Sequence, residues 1–443
     1  MSKPRLTAAT TALAVAVSTL AFTAVATVPV TTVANAADLA GPWTPVVDAS
    51  ALNNKVYSML QNGNTVYVGG MFTSAGGSAA ASYLASFDAT NPSATWQPVT
   101  NAALAAGSGY TYVSSMARTG TDLYIGGRFA QGTLNNVAKV ALGSGAATGL
   151  DGGTVAYNVS GNTERDVEEI AVIGNKVYVG GGFAGVSDGT GTVADTAGIA
   201  AWDTTTTNWG ALDSGFADDA NTAPNTNGMV AVANDLYIGG QFLGGKDGGT
   251  TIASKRVIAW SDATSTWSSM NGGFGQGLVA SMANSTTGHV QGLFAAGNFT
   301  SSDATPTVTF NGLAKWNSVS AAWETISSPS GVSGGSAVIE AMAFDAAGDL
   351  YVGGNFTSAG GVSANNIAKW DGTSWSALTC GPINGVNDTV RAILPQSDGS
   401  LIIGGFFTNA GGDPLNKYVA RYTPGATVNC ASPSTGGGGG GPA

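Results

Sequence analysis

The sequence predicts an all-β protein built as one ring of seven four-stranded antiparallel sheets. Only 10% of the 443 residues are charged, whereas 43% are hydrophobic and 66 are glycine, a composition that suits short buried strands joined by tight turns. Thr, Val, Ser and aromatic residues are plentiful, and strong helix formers are sparse. In addition, one glycine-rich motif recurs seven times at a nearly constant period.

Residues 1–36 are predicted to be an export signal. Lys3 and Arg5 precede a long apolar run that carries no charge before Asp38, and residues 34–36 have the small-x-small pattern that a signal peptidase accepts. We expect cleavage after Ala36 and a secreted, extracellular or cell-surface product. An uncleaved anchor is the alternative, because the run is long enough to span a bilayer. We expect no membrane insertion of the mature chain.

Cleavage would leave 14 basic and 27 acidic residues, a formal charge of −13. So acidic a chain is an unfavourable partner for nucleic acid, since phosphates repel it. The acids are scattered rather than grouped in runs, which fits a soluble monomer whose copies repel one another.

The repeated motif is a hydrophobic-aromatic-hydrophobic-Gly-Gly-x-Phe core. Successive copies start 57, 54, 59, 57, 57 and 51 residues apart, a period typical of propeller blades and far above the roughly 20–30 residues of leucine-rich or β-helical coils. Because one unit cannot bury its faces alone, we expect a complete seven-bladed β-propeller over residues 37–431, followed by a flexible glycine-rich tail over residues 432–443. The copies start at Val66, Leu123, Val177, Leu236, Leu293, Leu350 and Leu401.

Each copy resolves into four strands. A short apolar strand such as VRAIL from Val390 comes first, and the Gly-Gly strand is second. The third strand ends in an aromatic residue, as in IAKW from Ile367, and a short turn leads to a fourth strand opened by a tryptophan such as Trp375. Tryptophans that recur at fixed blade positions indicate packing between blades. Tyr110 and Tyr112, which occur in one loop only, are better candidates for a sugar platform.

The paired glycines have a predicted packing role. Gly353 and Gly354 interrupt an otherwise apolar strand and lack Cβ atoms, so a bulky neighbour can approach closely. We expect that neighbour to be a tryptophan of the third or fourth strand of the same or the adjacent blade. A phosphate-binding glycine loop would need a helix after the glycines, whereas Phe356 and another strand follow here.

The order LYVGG followed by IAKWDGTSW resembles the kelch-type blades of galactose-oxidase-like propellers. It is more similar still to the LYVGGxFTSAGG repeats of secreted bacterial propeller proteins and of fungal cortical markers of cell polarity. The resemblance covers Trp43 to about Cys430. It implies the architecture, but propellers host hydrolases, lyases, oxidases and binding proteins, so it does not imply one activity.

Two kinds of catalytic site are excluded by residue type. A copper-radical site like that of galactose oxidase requires two imidazoles, and His289 is the only histidine of the sequence. The same shortage disfavours a Ser-His-Asp triad, and we interpret His289 as a solvated turn residue.

Acidic residues of two long loops are the remaining candidates. Asp188 lies in one loop, and Asp213, Asp218 and Asp219 lie in another. They are candidates for contacts with a polar ligand or a cation, and a pair of acids could also hydrolyse a glycan. Calcium is possible because it prefers oxygen ligands, but no D-x-D-x-D-G loop is present, so we predict no cofactor and no metal.

The long loops should share one face. In a four-stranded meander, the connections after the second and fourth strands emerge on one side, and in this sequence these are the long ones. We therefore expect a non-enzymatic binding or adhesion protein that recognises a glycan, a wall polymer or a protein on this face. A glycan-active hydrolase or lyase and a structural layer are the alternatives. An enzyme should show strongly shifted carboxylates in the central funnel, and a binding protein should not.

The ring can close in two ways. The last copy has no tryptophan after its third strand, whereas Trp43 precedes the first copy. We expect residues around Trp43 to Val47 to supply the outer strand of the last blade. Residues 426–430 are the alternative.

The two cysteines of the sequence, Cys380 and Cys430, are predicted to form a disulfide. They follow the outer strand of the sixth copy and the end of the seventh, and an exported chain meets an oxidising compartment. Thiol titration of the purified, unreduced mature chain should detect no free thiol, and the bond should add about 2–4 kcal/mol of stability. One free thiol on each cysteine would contradict the pairing.

Overall fold

The computed structural model describes residues 43–47, 52–91, 94–100, 104, 110–131, 134–155, 166–217, 223–381 and 383–425. All of them belong to the unit Ala36–Ala443. Their secondary structure consists of β-strands and one 3-10 turn, Ala79–Ala81, so the prediction of an all-β protein is confirmed.

Seven four-stranded antiparallel sheets follow one another along the chain and form the blades. Blade 1 comprises Val56–Asn62, Thr65–Gly70, Leu84–Asp88 and Gln97–Pro98; blade 2 comprises Tyr112–Thr119, Asp122–Gln131, Leu134–Ala141 and Ala146–Gly149; blade 3 comprises Val167–Ile173, Lys176–Gly181, Ile199–Asp203 and Asn208–Gly210; blade 4 comprises Asn225–Val232, Asp235–Gln241, Val257–Ser261 and Thr266–Ser269. Blade 5 comprises Val279–Ser285, Gly292–Gly297, Leu313–Asn317 and Ala322–Glu324; blade 6 comprises Val338–Phe344, Leu350–Asn355, Ile367–Trp370 and Trp375–Ala377; blade 7 comprises Val390–Pro395, Leu401–Gly405, Val419–Tyr422 and Trp43–Thr44.

The blades close into a ring through the N-terminal strand. The first strand of each blade lies beside the first strand of the next, and that of blade 7 lies beside that of blade 1. Trp43–Thr44 pairs with the third strand of blade 7, with Trp43 opposite Tyr422 and their ring centroids 4.8 Å apart. The expected closure by residues near Trp43 is therefore confirmed.

The Gly-Gly pair does not receive a tryptophan, so that prediction was wrong. A Cβ atom added to Gly353 would lie 2.6 Å from the Val390 side chain in the first strand of the next blade, and one added to Gly354 would lie 2.0 Å from the carbonyl oxygen of Val338 in its own blade. The pair thus accepts one side chain from the neighbouring blade and one backbone group from the first strand. The third-strand tryptophan, Trp370, is the register partner of Leu350, three residues before Gly353, so it lies towards the other end of the strand pair.

The two glycines differ in how much change they tolerate within this chain. The second is glycine in every blade, and its added Cβ would lie 2.0–2.2 Å from a backbone carbonyl oxygen in all seven. The first is replaced in blade 5 by Ala296, which is fully buried in the same cluster as Ile339 of blade 6. A facing side chain can adjust, whereas a facing backbone carbonyl cannot.

The tryptophans pack in the outer half of the blades, as predicted. In blades 3 to 6 the third-strand and fourth-strand tryptophans are register partners, such as Trp370 and Trp375. Trp375 packs against a different glycine, Gly360, which lies in the loop between the second and third strands of blade 6. A Cβ atom added to Gly360 would lie 1.9 Å from the Trp375 ring. The indole N–H of Trp209 donates to the Leu150 carbonyl oxygen, 2.9 Å away, and so ties blade 3 to the end of blade 2.

The long connections are partly ordered into small sheets. In three of these sheets a segment before a blade's first strand pairs with the loop between that blade's second and third strands, and the largest has four strands. The fourth is a hairpin within the connection from blade 6 to blade 7. Their strands are Thr154–Val155 with Gly185–Val186; Phe216–Ala217, Gly244–Asp247, Thr250–Lys255 and Gly272–Gly273; Val332–Ser333, Ser358–Ala359 and Val362–Ser363; and Thr379–Cys380 with Ile383–Asn384. Much of the predicted loop face is thus a second hydrogen-bonded layer between blades.

The packing of the glycines predicts an order of substitution costs. Gly354→Ala should lower the free energy of unfolding by about 3 kcal/mol, because its Cβ meets a backbone carbonyl, and Gly353→Ala by about 1–2 kcal/mol, because its Cβ meets a side chain. Gly143→Ala is the control, with no atom within 4 Å of its added Cβ, and should change stability by less than about 0.5 kcal/mol. Denaturant unfolding measures all three, and equal costs at 353 and 354 would contradict the assignment.

Candidate functional site at the mouth of the central channel

The first strands of all seven blades enclose a cavity of about 480 Å³ on the axis of the ring. Its wall is formed by three successive positions of the first strand in six blades, from the variable position near the strand's start to a large apolar side chain, and by Glu168 and Glu169 in blade 3. We call this space the central cavity. The apolar lining residues are Met59, Met116, Met229, Met282, Met342 and Ile393.

Every first strand carries a β-bulge at the same place. The register shifts in each blade around one residue, such as Glu168 between Val167 and Glu169. The bulge lies beside the second glycine of the pair, whose missing Cβ leaves space for the carbonyl oxygen of the residue two before the bulged one, such as Asp166 in blade 3. The seven bulged residues are Tyr57, Ser114, Glu168, Asn227, Ala280, Glu340 and Arg391.

These seven positions are equivalent in backbone geometry yet have different side chains. The residue before the bulge is Val, Ile or Thr in every blade, as packing on the first glycine requires. The bulged residue itself varies in chemistry: it is Tyr, Ser, Glu, Asn, Ala or Arg. Alignment of the seven first strands exposes this contrast in the sequence, whereas the acids predicted as candidates lie in the loops. The bulges also lie near the start of the first strands, so this end of the cavity opens on the long-loop face.

One side of this opening is aromatic and cationic. Tyr57 stacks on Tyr112, with centroids 5.1 Å apart, and meets the edge of Phe406 at 5.2 Å. Arg391 lies over both Tyr57 and Phe406, and the Lys55 ammonium is 4.2 Å from the Phe406 centroid. Since these ring faces already contact each other or a cation, they offer little area for stacking a sugar.

The opposite side is acidic. The Tyr112 hydroxyl donates to Asp166 at 2.5 Å, and the Ser115 hydroxyl donates to Glu169 at 3.2 Å. Burial, reinforced by the neighbouring Asp166, raises the pKa of Glu168 to about 7. Burial likewise raises the pKa of Glu169 to about 8, against the hydrogen bonds from Ser115 and the Ile170 amide.

Charge in the cavity is unbalanced. Among the described residues that line it, Glu168, Glu169 and Glu340 are acidic and Arg391 alone is basic. The Arg391 guanidinium forms an ion pair with Glu340. Arg391 also opposes the rise in the pKa of Glu168 and Glu169, so its charge acts on blade 3 as well as on blade 6.

Asp188 and Asp213, the two predicted loop acids among the described residues, do not line the central cavity. Asp188 accepts hydrogen bonds from the amide and hydroxyl of Thr190 in its own turn, and Asp213 accepts one from the Gly248 amide at 3.0 Å. Both therefore hold loop conformation. Asp218 and Asp219 lie outside the described residues, so a ligand role for the four acids stays a prediction.

Four other candidate residues have clear surroundings. His289 is 62% exposed, as expected for a turn residue, but its Nδ1 also lies 2.6 Å from the Asp349 carboxylate. Tyr110 is exposed, whereas Tyr112 begins a strand and belongs to the cavity mouth. Cys380 is buried, and its expected partner Cys430 lies outside the described residues, so the disulfide stays a prediction.

Neither a metal cluster nor a spanning helix occurs in the described residues. No three His, Cys, Asp or Glu side chains among them are placed to hold a metal ion. The same residues include no helix with the length and apolar character needed to cross a bilayer.

Comparison with solved structures shows the fold. One similar structure is named as the extracellular domain of a hybrid two component system from B. thetaiotaomicron; it has 11% identity and a TM-score of 0.50 and matches 86% of this chain and 40% of that chain. Another, named as the extracellular domain of a one component system from the same organism, has 12% identity and a TM-score of 0.50 over 85% and 39%. The WD40 β-propeller domain of Doa1 has 10% identity and a TM-score of 0.47 over 85% and 95%.

This chain thus spans about 40% of the length of the two extracellular domains. No protein-family model and no curated protein sequence matches it.

The raised pKa values predict how stability depends on pH. Between pH of about 4.5 and 8, Glu168 and Glu169 hold more protons in the folded than in the unfolded chain, so stability should fall as pH rises through this window. Glu169→Gln removes one of these groups. It should equal the native chain near pH 4.5 and exceed its free energy of unfolding by about 1–3 kcal/mol at pH 8, since one pKa unit corresponds to about 1.4 kcal/mol.

Denaturant unfolding across pH 4.5–8.5 measures this difference. Asp188→Asn is the control, because hydrogen bonds from Thr190 lower the pKa of Asp188 and its removal should give no gain at pH 8. Equal stability of Glu169→Gln and the native chain at pH 8 would disprove the raised pKa.

Proposed function

We propose that this chain is an extracellular binding or adhesion propeller that recognises a glycan, a wall polymer or a protein at the mouth of its central cavity. The observation that carries the proposal is the set of seven bulged positions. They share one backbone geometry, line one cavity and differ in side chain, whereas the neighbouring packing positions repeat. Such a pattern is typical of a rigid scaffold that presents a specific set of contacts.

Two further observations support an extracellular setting. Residues 1–36 have the pattern of an export signal, and the solved structures of similar fold include extracellular domains. The long-loop face borders the cavity mouth, so Asp188, Asp213, Asp218 and Asp219 are proposed as its outer rim. We propose a monomer that acts without a metal or cofactor.

A glycan-active hydrolase or lyase is the second candidate. Strongly shifted carboxylates in the central funnel are expected of an enzyme, and Glu168 and Glu169 have raised pKa values there. A carboxyl that stays protonated near neutral pH can act as a general acid, and Glu340 could supply a second carboxylate. The ion pair between Glu340 and Arg391 disfavours this role, because it engages that carboxylate already.

Binding of the labelled mature chain to a glycan array and to intact bacterial cells tests the proposed site. Arg391→Ala and Tyr57→Ala should reduce binding at least tenfold, because they remove two of the seven divergent contacts. Arg118→Ala, at an exposed arginine outside the cavity lining, is the matched control for Arg391→Ala and should bind within about twofold of the native chain. Loss of binding only in Arg118→Ala would move the site away from the cavity.

Release of reducing ends from polysaccharides tests the second candidate. An enzyme should lose activity about 100-fold or more in Glu168→Gln or Glu169→Gln. A binding protein should release no reducing ends at any pH from 5 to 9.

A further inference from the structure

A second cavity, of about 550 Å³, opens at the end of blade 5 on the face opposite the long loops. It lies between two turns of this blade, the one that joins the first and second strands and the one that joins the third and fourth. We call this space the blade 5 groove. It shares no lining residue with the central cavity. The side chains of this lining that bear on a ligand are Asn284, Gln291, Lys315, Trp316, Asn317 and Glu324.

The first turn of the groove is fixed to blade 6 rather than to its own blade. This turn, residues 286–291, has six residues, against two in each of blades 1 to 4. The amides of His289 and Val290 donate to carbonyl oxygens of the corresponding turn of blade 6, both at 2.9 Å. The Nδ1 atom of His289 also lies 2.6 Å from the Asp349 carboxylate of that blade. The turn is therefore held in place without contact to the third strand of blade 5.

As a result, the second and third strands of blade 5 separate at this end. In blade 3 the pairing begins at the first residue of the second strand, with Lys176 opposite Asp203. In blade 5 it begins at the second residue, with Leu293 opposite Trp316. The space beyond this last pair is the blade 5 groove.

Trp316 lines the groove and differs in burial from the other tryptophans of its position. Trp202, Trp260 and Trp370, near the ends of the third strands of blades 3, 4 and 6, are at most 6% exposed. Trp316 is partly exposed, although its ring packs on Trp323 with the centroids 5.2 Å apart. The separation of the strands thus leaves apolar indole surface in the groove wall.

The polar side chains around this indole offer donors and acceptors side by side. The Asn317 amide donates to one oxygen of the exposed Glu324 carboxylate at 2.6 Å. The Lys315 stem crosses Gly292, where an added Cβ atom would lie 2.8 Å from the Lys315 Cε. Among the described residues, no ion pair includes Lys315 or Glu324. One ammonium and one carboxylate therefore keep hydrogen-bonding capacity for a ligand.

We infer that the blade 5 groove binds a neutral sugar ring of a glycan, with the C–H face of the ring on Trp316 and hydroxyls bonded to Lys315 and Glu324. Each sugar hydroxyl both donates and accepts, so it matches a wall that combines an ammonium, a carboxylate and amides. The volume of about 550 Å³ lies within the roughly 300–1,000 Å³ of small-molecule sites. The inference goes beyond the proposed function, because it assigns a second site on the opposite face.

Other classes of ligand fit the groove less well. Its lining carries one lysine and one glutamate, so an anion and a cation would each meet a like charge at short range. An apolar ligand would bury these two charges and the amides of Asn284 and Gln291 without partners. A neutral polyhydroxylated ring covers the indole and satisfies the polar groups together.

Binding at this groove should be weak, because it contacts a single ring. A ligand portion of about twelve non-hydrogen atoms corresponds to a Kd on the order of 1 mM. Such a complex does not survive the washing of a glycan array. The array therefore measures the central cavity, and a titration in solution measures the groove.

Saturation-transfer NMR titration of the full mature chain with cellohexaose tests the inference. The ring substituents of this oligosaccharide are equatorial, which leaves flat C–H faces for an indole. Trp316→Ala should weaken binding at least tenfold, and Lys315→Met and Glu324→Gln at least fivefold each, because they remove the stacking surface and one charged partner respectively. Lys139→Met, at the same third-strand position of blade 2 and outside the groove, is the control and should bind within about twofold of the native chain.

Several outcomes overturn the inference. Unchanged binding in Lys315→Met and Glu324→Gln, both shown to be folded by thermal melts, would mean that the sugar lies elsewhere. Loss of cellohexaose binding in Arg391→Ala but not in the groove variants would place the sugar in the central cavity. Tighter binding of an oligomer of galacturonic acid or of glucosamine would contradict a neutral ligand.

The two proposals fail separately. If cellohexaose does not bind while Arg391→Ala still abolishes binding to the array or to cells, the groove inference fails and the proposed function stands. If the groove variants lose cellohexaose while Arg391→Ala keeps full binding to the array and to cells, the proposed function fails and the groove stands.

Discussion

The close approach of two backbones at the Gly-Gly pair is the constraint on which the rest of the structure depends. The first glycine admits a β-branched side chain from the next blade, and the second admits a carbonyl oxygen from the blade's own first strand. The first contact sets how blades pack around the ring. The second contact requires a bulge, because the first strand must shift its register where its carbonyl enters the space of the missing Cβ.

That bulge connects the scaffold to the site. A residue at a bulge is released from the packing that fixes its neighbours, so its side chain can vary without cost to the ring. Seven bulges arranged around one axis give seven variable side chains on one cavity. The Gly-Gly motif, which repeats in every blade, therefore allows the side chains of the cavity wall to differ, and these include a small one at Ala280 and a large cationic one at Arg391.

Electrostatics gives this wall its character. Arg391 joins Glu340 and the rings of Tyr57 and Phe406 into one group, while Glu168 and Glu169 keep carboxyls in the same cavity as the apolar lining residues. Burial of a carboxyl opposes its ionisation, so these groups are ready to donate a proton. A binding site and an acid catalyst can both use a carboxyl with a raised pKa. A glycan hydrolase also needs a second, ionised carboxylate as base or nucleophile.

The sequence by itself determined the repeat, the seven four-stranded units, the burial of the tryptophans and the closing strand at Trp43, because these follow from local pattern and period. Only the tertiary structure decided what fills the glycines and which acids converge. Val390 and Gly353 are 37 positions apart, and the seven bulged residues are spread over more than 300, so their meeting on one axis depends on the closed ring. Residues in a loop can be recognised as polar from sequence, but a pKa is raised by burial, and burial exists only once the blades have assembled.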